Sequence, residues 1–214
     1  MDSLNQIADS IRVTLTERND ARDKAISQSR ELIRQCAECI RAIHRREYDD
    51  ARQRLDNIRT AANALKDGVA GYPELYHTGY TQDALKEVVE AFATYAIIRE
   101  EDLPTPETLG VESSTYLLGL AEAATELRRF ILDIMRRNER HSEEAERLLD
   151  WMDAIYDQLI TFDFPDALTH GLRRQTDIVR SVLERTRGDM TSSLRQQQLQ
   201  DALAQFEARI SGSG

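Results

Sequence analysis

Apolar positions recur along this chain at intervals of three and four residues. Ile26, Leu32 with Ile33, Cys36 with Ala37, Ile40 and Ile43 form one stripe, and Ala51, Leu55, Ile58, Ala62 and Leu65 form a second. That period belongs to helices with one face on a core. It predicts a first helix from about Leu4 to Arg46, less regular over its opening twenty residues, and a second from about Asp49 to Val69, broken by Gly68, Gly71 and Pro73. A third starts near Thr81 or Gln82 and ends before Leu103-Pro104-Thr105-Pro106. A fourth opens at Ser113 or Ser114, good N-cap residues, and runs to about Asn138. A fifth covers about Ser142 to Thr161, with Glu143 and Glu144 at the positive end of its dipole. Pro165 opens a sixth that stops after Arg187 at Gly188, a natural C′ glycine. A last helix, rich in Gln, spans about Ser192 to Ile210. No strand pattern and no repeat of fixed period appears. The expectation is an all-α fold: a single domain of about seven long, antiparallel-packed helices. Residues 1–190 form that domain, 191–210 a C-terminal helix packed on it or at an interface, and 211–214 a disordered tail.

Two of these helices carry charge where the pattern asks for oil. Between Val88 and Ile98 only Glu90 and Thr94 are polar, and Glu87 lies one turn before Glu90. Between Tyr116 and Leu127 the only charges are Glu122 and Glu126. Glutamate is rarely buried unless it is paired or binds a cation. Spacings of three and four put each pair on one helix face. Two readings stand. In the first, Glu87 and Glu126 face solvent while Glu90 and Glu122 pair with Arg99, Arg128 or Arg129. In the second, the four carboxylates cage a hard divalent cation, Mg²⁺ or Mn²⁺. Neither segment contains His, which points away from iron and zinc. Gly119, one turn before Glu122, would let another helix approach closely. A Mg²⁺ cage in a helical bundle suits phosphoryl transfer.

Charge adds a second candidate. The net charge of −10 argues against a globally basic nucleic-acid binder. Yet Arg supplies 25 of the 28 basic residues, and Arg is the better phosphate fork. Arg30, Arg34, Arg41, His44 and Arg45 follow the first helix at helix-compatible spacing. They form either a solvated face ion-paired to Glu31 and Glu38 or a phosphate-tracking ridge, which Arg52, Arg54 and Arg59 could extend. The aromatic loop of Tyr72, Tyr76, His77 and Tyr80 either stacks on bases or covers a helix end. His141 and His170 stand alone near helix starts. Cys36 and Cys39 lack the matching pair that a zinc site needs, so they read as small buried residues of a reducing, cytoplasmic protein. No window has the length and apolarity of a membrane span, and no signal peptide is expected at the start.

Three segments resemble the translin/TRAX family. The first runs from Arg22-Asp23-Lys24 through Ser29-Arg30-Glu31-Leu32-Ile33 to Ala42-Ile43-His44-Arg45, and is similar to the family's first helix. The second is Lys86-Glu87-Val88-Val89-Glu90-Ala91, and the third, the most specific, spans Tyr116 to Leu127. A weaker match is the arginine-rich helix ending Arg187-Gly188, and the resemblance covers about residues 20 to 190. It implies a seven-helix fold, a homo-oligomeric, octamer-like shell around RNA or single-stranded DNA, and a Mg²⁺-dependent endoribonuclease of the TRAX, C3PO-type branch. Glu87, Glu90, Glu122 and Glu126 fall on the family's catalytic, metal-binding carboxylates, with Glu122 standing where the family has Asp. Translin subunits lack the full set and bind nucleic acid without catalysis. The alternative reading is therefore a non-catalytic RNA-binding scaffold.

Overall fold

The computed structural model describes residues 2–137 and 143–211. Among them are nine helices and no strand: α1 (Asp2–His44), α2 (Tyr48–Val69), α3 (Pro73–Tyr76), α4 (Gly79–Arg99), α5 (Pro106–Leu109), α6 (Ser113–Arg136), α7 (Glu143–Leu159), α8 (Asp166–Thr169) and α9 (Leu172–Ser211). The all-α expectation holds. None of the described helices is long and apolar enough to cross a membrane. The chain divides into two compact units, Met1–Gly119 and Leu120–Gly214. Helix α6 runs unbroken through that boundary, so its start belongs to the first unit and its remainder to the second.

In the first unit α1 and α2 pack antiparallel. Cys39 Sγ donates to the Ala51 carbonyl at 3.6 Å, Arg54 bonds Glu38 at 3.0 Å, and Gln28 faces Gly68 nearer the other end. The buried face of α2 is the stripe Ala51, Leu55, Ile58, Ala62, Leu65 and Val69. On α1 burial begins only at Ala25, so the less regular opening of the sequence is an exposed helical arm. Helix α4 is buried on nearly every side, including the whole run Ala91–Ile98. Aromatic side chains near its C-terminal end meet arginines: Arg52 Nε donates to Tyr95 Oη at 3.1 Å, and the Arg59 guanidinium lies 5.2 Å from the Phe92 ring centre. Glu100, with φ at 57°, ends the helix in the left-handed region. The loop after it holds α5, capped by Thr105 and tied down by Lys66 Nζ, which donates to the Leu109 carbonyl at 2.8 Å. Helix α6 enters with Thr115 donating to Gln82 Oε1 and Tyr116 to the Pro104 carbonyl.

The second unit builds its core from Leu127, Ile131, Leu148, Met152, Leu159, Leu172, Val179 and Leu183. Arg128 ties α6 to α9 by donating to Thr186 Oγ1 at 3.0 Å and Asp189 at 2.7 Å, and Arg187 pairs with Asp153 of α7. Three expectations are corrected here. The sixth and seventh helices are one: α9 passes through Gly188 without a break, because one glycine costs a helix only about 1 kcal/mol. The break falls earlier, at His170 (φ 47°) and Gly171 (φ 86°), where Asp166 accepts the Gly171 amide. Pro165 therefore precedes the one-turn α8 rather than the long helix. The C-terminal helix is accordingly an extension of α9 and not a separate element. Asn138, His141, Ser142 and the tail beyond Ser211 lie outside the described residues.

Candidate metal centre and nucleic-acid face

The burial anomaly becomes a pair. Glu87 and Glu90 stand one turn apart on α4, both half-buried, so two carboxylates share one face of that helix. Gly119 brings the start of α6 against the same stretch of α4. A Cβ on it would sit 2.6 Å from the Lys86 carbonyl oxygen, so only glycine lets α6 meet α4 this closely. Glu122 follows three residues later on the same unbroken helix. The donors are all hard carboxylate oxygens, a set that fits Mg²⁺ or Mn²⁺.

Glu126 belongs to the second unit. Its Oε1 lies 3.6 Å from Arg129 Nη1 on the next turn. The other arginines named as partners in the ion-pair reading are placed elsewhere: Arg99 lies over the Tyr48 ring at 4.6 Å, and Arg128 holds Thr186 and Asp189. Glu87 and Glu90 thus lie on α4 in the first unit, and Glu122 and Glu126 on the part of α6 in the second. Thr94, also noted in the sequence as an interruption, is fully buried on the same helix as Glu87 and Glu90.

The two cysteines sit under this region without joining it. Burial pushes the Cys36 thiol up, with the negative charges of Glu87 and then Glu90 adding to the effect. Burial likewise pushes Cys39 up to about 12. Both are inert buried thiols, as their spacing suggested.

The basic face is only partly free for a ligand. Arg30, Arg34, Arg41 and Arg45 are exposed, whereas His44 is buried and leaves the ridge. Arg34 is clamped by Glu31 and Glu38, and Arg45 by Glu47 at 2.7 Å. Arg52, Arg54 and Arg59, the suggested extension, are held by Glu101, by Glu38 with Asp50, and by the Phe92 ring. The aromatic loop folds back on its own helices: Leu75 is buried, Thr81 Oγ1 and Gln82 Nε2 donate to the Leu75 and Tyr76 carbonyls at 2.8 Å, and the rings of Tyr76 and His77 meet edge to face. That geometry is the helix-end cover rather than an open stacking platform.

No family model matches the chain. The uncharacterized protein MJ0175 of Methanocaldococcus jannaschii is 31% identical over 213 residues, 99% of this chain and 91% of that protein. The crystal structure of AfC3PO is similar at 31% identity and a TM-score of 0.78, covering 86% of this chain and 95% of that one. AfC3PO solved as a complex with duplex RNA gives a TM-score of 0.73 at the same identity and coverage. Apo-NeC3PO, at 21% identity and a TM-score of 0.78, shares the fold. With this coverage and identity, the chain belongs to the translin/TRAX family, among its C3PO-like members.

Proposed function

We propose that this protein is a Mg²⁺-dependent endoribonuclease of TRAX type that cleaves RNA inside a homo-oligomeric helical shell in the cytoplasm. The reading is carried by one observation, two half-buried carboxylates, Glu87 and Glu90, one turn apart on a helix whose other side chains there are buried and mostly apolar. Mg²⁺ held there would lower the pKa of a water and neutralise phosphate oxygens. The three carboxylates would orient it, and their half-buried setting limits competition from bulk water. Glu126, one turn beyond Glu122, would accept the proton of the attacking water once Arg129 moves to a phosphate. Exposed Arg30 and Arg41 would hold the RNA backbone, and AfC3PO has been solved as a complex with duplex RNA.

A second reading keeps the RNA and drops the chemistry. It is favoured by the Glu126–Arg129 pair, which engages one of the four carboxylates with a cation of its own helix. One experiment separates the two. Labelled single-stranded and duplex RNA are incubated with the protein in Mg²⁺, in Mn²⁺ and in EDTA, beside Glu122→Gln. Cleavage that needs the metal and disappears in the variant supports the enzyme. Binding that survives EDTA without turnover supports the scaffold.

A further inference from the structure

The carboxylate face of α4 carries one more polar group. Thr94 follows Glu87 by seven residues and Glu90 by four, so around the helix axis it stands about 20° from the first and about 40° from the second. Its side chain is fully buried, and among the described residues its hydroxyl has no hydrogen-bond partner. A helical threonine often returns its hydroxyl to the carbonyl four residues back. Thr60, Thr176 and Thr186 all do so here, at 2.8–3.0 Å. Thr94 does not. A buried hydroxyl left in this state destabilises the fold, and a valine would fill the same space without that cost.

Resting on the reading of Glu87, Glu90 and Glu122 as a cation site, we propose that Thr94 is a positioning residue of that site, whose hydroxyl binds a water shared with the Glu90 carboxylate. Residues four apart on a helix have Cβ atoms about 5–6 Å apart, a span that one bridging water fills. Mg²⁺ keeps several of its waters when carboxylates bind it, so an outer-sphere water needs a protein partner besides the cation. The hydroxyl can donate to that water or accept from it, whereas a second carboxylate in its place could only accept.

The test measures Mn²⁺ affinity of the full-length protein by electron paramagnetic resonance, with thermal melts in EDTA alongside. Thr94→Val is expected to weaken Mn²⁺ binding about tenfold, the scale of lost outer-shell partners, while raising the melting temperature of the metal-free protein. Thr94→Ser restores wild-type affinity, and Thr94→Ala serves as a second hydroxyl-free variant. Wild-type affinity in both hydroxyl-free variants overturns the proposal, and so does a loss in Thr94→Ser equal to that in Thr94→Val. If the wild-type protein binds no Mn²⁺, or Glu90→Gln binds it as tightly as wild type, the cation-site reading fails and the role of Thr94 fails with it.

Discussion

Gly119 lies so close to Val89 that a Cβ on the glycine would stand 2.5 Å from the Val89 Cβ. This contact fixes the approach of α6 to α4 between the turns that carry Glu87 and Glu90. Gly119→Ala sets two effects against each other. Alanine is worth up to about 1 kcal/mol more than glycine inside a helix. Overpacking costs about 1–3 kcal/mol, and here part of it falls on a backbone carbonyl that cannot rotate away. Overpacking wins. Differential scanning calorimetry should show a melting temperature lowered by roughly 2 °C or more. Mn²⁺ affinity should fall as well, because Glu122 moves with α6.

The carboxylate cluster predicts a coupling between metal and stability. A ligand at a hundred times its dissociation constant stabilises the folded state by about 2.7 kcal/mol. Mn²⁺ should therefore raise the melting temperature of the wild-type protein and do little for Glu87→Gln, Glu90→Gln or Glu122→Gln. In RNA cleavage the same variants should lose at least about 100-fold in rate. Glu122→Asp, which carries the family's residue, should keep turnover. Cleavage by the glutamine variants at wild-type rate would sink the site assignment.

The arginines of α1 are not equivalent. Arg30 and Arg41 are exposed, while Arg34 is already held by Glu31 and Glu38. Arg30→Ala and Arg41→Ala should each weaken RNA binding uniformly across sequences and reduce the salt slope by about 1. Arg34→Ala should change both less. Fluorescence anisotropy across a salt series reads this directly, and equal losses at all three positions would contradict it.

The buried thiols give a pH dependence. Cys39 is pushed up from an ordinary 9.0 to about 12, and Cys36 is pushed up too, so the folded state holds both protons to higher pH than the unfolded chain. Their contribution to stability is complete below the ordinary thiol value and is lost as pH rises through the folded one. Stability should then fall between about pH 9 and 12, and less steeply in a Cys36→Ala/Cys39→Ala variant. Ellman's reagent should leave both thiols untouched at pH 8 until denaturant is added.

Much of this architecture is legible in the sequence because α2, α4 and α6 obey strong local rules. The stripe Ala51 to Leu65 gave α2 within a residue, and the serines at 113 and 114 marked the start of α6. Gly188 misled because a glycine is a weak local signal that a long helix can override. The true break lies at His170 and Gly171, both in left-handed conformations, and Gly171 was the glycine that marked it. Glu87, Glu90 and Glu122 were visible as charges in apolar surroundings, an argument that needs no coordinates. The pairing of Glu126 with Arg129 was not, since Arg129 is as far along the chain from Glu126 as Glu90 is from Glu87. His44 was misread for a related reason: exposed Arg41 and Arg45 flank it, and sequence alone does not say that it points inward.

Helix α9 buries Leu172, Thr176, Val179, Leu183 and Thr186, and none of its residues after that. Forty residues make a rod about 60 Å long, whose buried residues all fall in its first half. Amide exchange along α9 should therefore form a gradient, slow to about Thr186 and progressively faster toward Ser211. The second half borrows its helicity from the first, which supplies the costly nucleus, so trimming the chain back from Ser211 shortens the rod without unfastening the unit that carries it.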